Sequence, residues 1–415
     1  MTSATVNSQR HGLWPVILCW TAVALEGYDL VVLGAVIPTL GETKALGFTP
    51  PSLTFVATIG LVGVGIGAVL IGPVTDRFGR RKSLLACVAA FSVLTVVVAW
   101  SPNIATFAVL RLVAGVALGA VLPTALAFMT EYARSGRGGS AVTTMMTGYH
   151  VGAVATALLA IPVIPALGWQ AMFIIGGLLG LVILPLMWAK LPESTAFLER
   201  ERTTRVETSA VVKGPFLRVS IGIWIASFMG LLLVYGLNTW LPEIMGSAGY
   251  SMGAALGLLF ALNLGAVAGL LVAGRVSDAR GNKPTLQVWF GIAAVALAAL
   301  SIKIESQVLV YAAVFVAGVF VFSAMVLVYA FVSQLYPADI RGTALGLSSG
   351  VGRVGAIVGP FLGGALVTAG VAYPWGFYMF AIAAVLAVLA VSTIPAHVKE
   401  SELSAVGKPA DELQA

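Results

Sequence analysis

Gly72-Pro-Val-Thr-Asp76-Arg-Phe-Gly79-Arg80-Arg81-Lys82 and Gly274-Arg-Val-Ser-Asp278-Ala-Arg-Gly281-Asn282-Lys283 read as two copies of one loop. Their Gly, Asp and Gly positions are each displaced by 202 residues. A second match, Tyr132…Arg137-Gly138 with Tyr336…Arg341-Gly342, recurs at a displacement of 204. One such match is weak, but two at nearly one offset read as a duplicated chain.

Apolar runs surround both copies. Twelve are present, at approximately 13–40, 53–74, 83–100, 103–131, 140–166, 168–190, 216–245, 252–274, 285–302, 307–336, 342–369 and 372–395. Each is long enough to cross about 30 Å of hydrocarbon as a helix. Hydrophobic residues make up 59% of the 415 residues and charged residues 10%, against about 25% charged in an average soluble domain. The expected fold is an all-α polytopic membrane protein of twelve transmembrane helices in two pseudo-symmetric six-helix halves. Residues 1–191 form the first half, 192–215 a central loop, 216–395 the second half and 396–415 a tail. Repeats of this kind commonly hold a solute site between them.

The net charge of +6 follows topology rather than a nucleic-acid footprint. Arg77, Arg80, Arg81 and Lys82 follow the second run, and Arg134 and Arg137 the fourth. Arg200, Arg202, Arg205, Lys213 and Arg218 lie in or beside the central loop, Arg275, Arg280 and Lys283 follow the eighth run, and Arg341 follows the tenth. The opposite face offers Lys44 and Lys303. This asymmetry predicts cytoplasmic termini. Cys19 and Cys87 both fall in apolar runs, so no disulfide framework is expected. The first apolar run is too long for a cleaved leader.

Within that first run stand two carboxylates, Glu26 and Asp29. Three residues apart on a helix, they lie about 60° from each other. Each costs roughly 2.5 kcal/mol or more at the bilayer centre, so a water-filled path, a partner or each other must compensate. They point to a protein that moves protons or charged solutes.

The loop at 72–82 resembles the signature loop of the major facilitator superfamily, and Arg111…Gly115…Gly119…Pro123 resembles that superfamily's second motif. More narrowly, the chain is similar to the aromatic acid/proton symporters. The supporting stretches are Glu26-Gly27-Tyr28-Asp29, Gly168-Trp169-Gln170-Ala171-Met172-Phe173, Pro192-Glu193-Ser194…Phe197-Leu198 and Tyr235-Gly236-Leu237-Asn238-Thr239-Trp240-Leu241-Pro242. That family carries Asp at both acidic positions of the first helix, whereas this chain has Glu at 26, a longer arm with the same charge. The resemblance implies uptake of a benzoate, hydroxybenzoate, protocatechuate or gentisate type of acid by proton symport and alternating access. The expected setting is the inner or plasma membrane of a bacterium, with a monomer as the default, no cofactor and no nucleic-acid partner.

Candidate residues follow. Glu26 and Asp29 are expected to carry the coupled proton, with His150 as a further titratable group. Arg353 and Arg111 are expected to hold a carboxylate or to balance the acids, since a guanidinium binds a carboxylate bidentately. Tyr28, Tyr149, Tyr235, Asn238 and Trp240 offer flat apolar faces with polar handles for an aromatic ring. The competing assignment for all of them is static packing or, for Trp240, an interfacial belt. Gly72, Asp76, Arg80, Glu131 and Asp278 are expected to serve as a gate, with Asp76 capping a facing helix and Arg80 pairing with Glu131.

Rival functions are a proton-coupled drug antiporter and a symporter of sugars or aliphatic acids. The antiporter's Gly/Pro motif belongs on the fifth helix, which here reads Gly148-Tyr-His-Val-Gly152; the similar pattern Gly346…Gly355…Gly359-Pro360…Gly363-Gly364 stands on the eleventh. Gly346-Leu-Ser348-Ser-Gly350 matches a hydrolase nucleophile elbow but begins an apolar run, where no strand-to-helix turn is expected. No HExxH or Walker A pattern and no clustered metal ligands appear, so an enzyme is not expected.

Overall fold

The computed structural model describes residues 13–132, 138–193, 211–212, 215–303, 305–336 and 338–396. Most of the expected central loop and tail lies outside these residues. Within them run twelve long helices: α1 Leu13–Thr43, α2 Pro50–Phe78, α3 Arg80–Val98, α4 Ile104–Tyr132, α5 Gly138–Leu167, α6 Trp169–Lys190, α7 Pro215–Ser247, α8 Met252–Arg280, α9 Asn282–Ala299, α10 Gln307–Leu335, α11 Ala338–Thr368 and α12 Ala372–Thr393. Eleven are long and apolar enough to cross a membrane. The exception, α9, begins three residues before its expected apolar run. Its 18 residues therefore open on Asn282, Lys283, Pro284 and Thr285 and span about 27 Å. The chain is a multi-pass α-helical membrane protein.

The two halves pack alike. In the first, α1 lies on α5, α2 on α4 and α3 on α6; in the second, α7 lies on α11, α8 on α10 and α9 on α12. The halves meet along α2–α11, α5–α8 and α1–α7.

Hydrophobic transfer cannot drive helices together in lipid, so close backbone approach does. Any side chain at Gly152 would overlap the Ala24 carbonyl, and one at Gly355 would overlap that of Phe228. The Gly-rich pattern on α11 thus seats it against α7. Ser348, in the middle of the G-x-S-x-G match, shares a 2.6 Å hydrogen bond with Ser227 and stands inside a helix, as expected.

The repeat is realised as one bend used twice. Gly79 (φ 87°, ψ 157°) precedes α3, and Gly281 (φ 86°, ψ 152°) precedes α9. Glycine takes this conformation without the clash an L side chain meets. The bends are held differently. At the first, Glu193 accepts from the backbone N–H of Arg81 at 2.9 Å, so its carboxylate caps the start of α3. At the second, Ser277 bonds to Asn282, which donates to Gln334 at 2.7 Å, a neutral network.

At the end of the bundle opposite these bends the halves are in contact. A Cβ at Gly34 of α1 would strike the Asn238 carbonyl of α7, and one at Gly364 of α11 would strike Thr54 of α2.

Candidate functional site

The two carboxylates of α1 have different surroundings, although the sequence places them on nearly one face. Asp29 turns into its own half. It is ion-paired with Arg111 of α4 and accepts a hydrogen bond from Thr95 of α3. Arg111 also reaches the Asp29 carbonyl at 3.2 Å and lies 5.9 Å from the centre of the Phe173 ring. The neighbouring Tyr28 hydroxyl donates to the Met172 carbonyl of α6 at 2.9 Å, and Thr156 of α5 donates to the Tyr28 carbonyl at 3.2 Å. Residues 28–29 are thereby tied to α3, α4, α5 and α6.

Glu26 lies between the halves, beside the backbone of Leu122 on α4 and within electrostatic reach of Arg353 on α11. It is 0% exposed, and neither carboxylate oxygen has a hydrogen-bond partner among the described residues. The nearby cation is Arg353 of α11, within electrostatic reach across the interface. Arg353 is partly buried; its Nη1 donates to the Tyr235 hydroxyl of α7 at 3.0 Å, and its Nε has no partner. Tyr149 of α5, within hydrogen-bonding reach of Tyr235, and Tyr329 of α10 complete the surround.

His150 continues this wall. Its ring stands edge-on to Tyr149 (centroids 5.1 Å apart) and to Phe322 of α10 (4.9 Å). Asn263 of α8 is in side-chain hydrogen-bonding reach of the imidazole and donates through Nδ2 to Asn238 at 2.8 Å and to the Leu259 carbonyl at 3.1 Å. The sequence reading passed over Asn263 and Tyr329. The signal for Asn263 was present, since a fully buried polar side chain within the apolar run 252–274 is costly in a membrane without a purpose.

The structure therefore gathers Glu26, Tyr149, His150, Tyr235 and Arg353 at the interface, with Asn238 joined through Asn263. Asp29, Arg111 and Tyr28 form a separate cluster within the first half. Trp240 belongs to neither: it is fully buried and donates to the Pro360 carbonyl at 2.7 Å, locking α7 to α11. A belt position is excluded, because the ring never reaches the surface. Of the expected gate, Gly72 falls within α2, the side chains of Asp76 and Glu131 lie outside those described, Arg80 opens α3 and Asp278 is exposed near the end of α8.

Chemically, the interface presents one guanidinium to one carboxylate, with aromatic faces around them. A guanidinium can pair bidentately with a carboxylate, so the arrangement can hold one anion at Arg353 beside Glu26. Among the described residues no three His, Cys, Asp or Glu side chains gather as metal ligands.

The sequence model of the Major Facilitator Superfamily matches residues 19–302 and 256–413. The chain is 34% identical over 402 residues to a gentisate transporter of Corynebacterium glutamicum, covering 95% of this chain and 89% of that one. It is 32% identical over 409 residues to a gallate transporter of Pseudomonas putida, covering 91% and 90%. Among solved structures, a D-xylose-proton symporter superposes with a TM-score of 0.77 at 19% identity, covering 92% of this chain and 98% of that one. This last likeness concerns the fold.

Proposed function

The chain belongs to the Major Facilitator Superfamily of transporters, and on that premise we propose that it imports an aromatic carboxylate together with a proton by alternating access. The observation that carries the reading is Glu26: a buried carboxylate of one half with no side-chain hydrogen-bond partner, within electrostatic reach of Arg353 of the other. Relatives named for gentisate and gallate support the class of substrate, as do the rings of Tyr149, Tyr235 and Tyr329 around that cation.

Coupling follows from charge matching. An ionised Glu26 balances Arg353 when the site holds no substrate. Protonation of Glu26 releases the guanidinium to a substrate carboxylate, so proton and substrate favour each other's binding. Asp29, matched by Arg111 and Thr95, holds α1 so that Glu26 is presented to the interface. The 72–82 stretch, which is the end of α2 and the start of α3 joined by the bend at Gly79 rather than a loop, is the gate at the basic, cytoplasmic end, fastened by Glu193. The Gly34–Asn238 and Gly364–Thr54 contacts close the far end. The protein works as a monomer in the inner membrane with both termini in the cytoplasm.

The test is uptake of labelled 4-hydroxybenzoate into proteoliposomes with the outside acidic, with and without a protonophore, against empty liposomes. Protein-dependent accumulation that collapses with the protonophore is the expected result. Absence of uptake, with the same vesicles expelling a cationic dye when acidified inside, assigns the protein to drug antiport instead.

A further inference from the structure

The repeat puts an equivalent pair of helices on the flank of each half, α3 with α6 and α9 with α12. The displacement of 202 carries the buried Val88, Phe91 and Ser92 of α3 onto the buried Phe290, Ala293 and Ala294 of α9. The displacement of 204 carries the buried Phe173, Gly177 and Gly180 of α6 onto the buried Phe377, Ala381 and Ala384 of α12. Both pairs are tied alike at the basic end. Arg81 donates to the Trp188 carbonyl, and Lys283 donates to the Ser392 carbonyl at 3.4 Å. Gln287 adds a 2.9 Å bond to the Ser392 hydroxyl.

Beyond that end the pairs differ. In the first half α3 closes on α6 because Gly177 has no side chain; any Cβ there would overlap Val96 and the Ser92 carbonyl. The counterparts of Ser92, Val96 and Gly177 are Ala294, Ala298 and Ala381. All three line an open apolar groove of about 740 Å³ between α9 and α12. Ala381 carries the methyl that Gly177 omits, and Ala298 lacks the branches with which Val96 fills the space.

The shape of the groove says what fits it. From Trp375 to Leu386 of α12 it runs eleven residues, about 16 Å of helix and so half of the roughly 30 Å hydrocarbon core. Trp375 and Tyr378, with rings 5.7 Å apart, stand at the end opposite the bends, where amphipathic rings mark a membrane interface. Exposed Lys303 follows α9 at that same end and complements the charge of a phosphate. Nine residues line the groove, too few for a second protein, which takes about 20–30 a side. Left empty, the groove forfeits dispersion contacts that a chain of matching length supplies.

We propose that this groove holds one acyl chain of an outer-leaflet phospholipid, whose phosphate pairs with Lys303, as a lipid retained by the protein. Only the choice of leaflet rests on the reading of the basic end as cytoplasmic. The lipid fills the flank of the second half, away from the Glu26–Arg353 interface, and stabilises that half without turning over with substrate.

The experiment is native mass spectrometry of the full chain extracted in mild detergent, then delipidated and titrated with dioleoylphosphatidylglycerol. The wild type should retain one phospholipid per chain, rebind one after delipidation and unfold at a higher temperature once it has done so. Ala298→Phe fills the groove and should lose the lipid, while Val93→Phe, on the lipid-facing side of α3, should keep it. No retained or rebound phospholipid in the wild type overturns the site, as does equal retention by Ala298→Phe or equal loss in both variants. A wild-type dimer that Ala298→Phe converts to monomers gives the groove to a second copy and also overturns it. Should Ala298→Phe fail to fold, Lys303→Gln decides: a several-fold loss of affinity supports the site, and unchanged affinity overturns it. None of these readouts involves transport, so their outcome is separate from that of the uptake test.

Discussion

Glu26 and Arg353 face each other across the interface of the two halves, within electrostatic reach and with no hydrogen bond joining them. Each comes from a different half, so any movement that opens one side of the bundle changes their separation. A carboxylate without a committed partner is free to exchange its proton while its neighbour takes another anion.

Replacing Glu26 by Gln should uncouple transport. Accumulation against a gradient should fall to the level seen with a protonophore, while exchange of labelled for unlabelled substrate persists. Wild-type uptake should rise as the outer pH falls, and the variant's should be flat. A variant that still accumulates substrate in a pH-dependent way would remove Glu26 from the coupling step.

Asp29→Asn should act differently. It leaves Arg111 buried without its counter-ion, at a cost of about 3–5 kcal/mol. Thermal unfolding in detergent should show a large loss of stability, and accumulation should be abolished. The double variant Asp29→Asn/Arg111→Gln should be more stable than the single one, as expected of partners in a double-mutant cycle. Additive losses would refute the pairing.

Arg353→Ala should abolish carboxylate binding, and Arg353→Lys should retain part of it as a point charge without the planar fork. Tyr235→Phe removes the 3.0 Å bond that orients the guanidinium. Affinity should fall roughly 10-fold or more, given about 1.5–3 kcal/mol for a hydrogen bond to a charged group. Equal equilibrium binding by the wild type, Arg353→Ala and Arg353→Lys would exclude this residue from the site.

At the far end, Gly34→Val should hold the halves apart, because any Cβ there collides with the Asn238 backbone. Net transport should be lost. A cysteine introduced at Thr54 should react faster with an impermeant thiol reagent in this background than in the otherwise native protein. Unchanged reactivity would show that the contact does not close the far side.

Much of the fold was legible because membrane helices must announce themselves as long apolar runs, and because Gly79 and Gly281 each mark a bend that needs a positive φ. The charged members of the site were legible for the same reason: Glu26 and Arg353 have no business in an apolar run without a purpose. The split between Glu26 and Asp29 was not legible. An offset of about 60° on α1 is enough to send one side chain to the interface and the other into the bundle, and only packing decides which. The capping of α3 by Glu193 was equally hidden, since its partner lies 112 residues away. Asn263 was missed because a single amide among small apolar residues resembles a tolerated packing residue until its bonds are traced.

The pairing of one guanidinium with one anion also bears on the energy source. An empty site with ionised Glu26 and a loaded site with protonated Glu26 plus a bound monoanion carry the same charge, and Asp29 with Arg111 adds none. Reorientation is then electroneutral in both directions. The membrane voltage, worth about 2.3 kcal/mol per elementary charge at 100 mV, does no work on the cycle. The pH difference alone sets the accumulation limit, tenfold for each unit, and a potassium diffusion potential imposed at equal pH should drive no uptake.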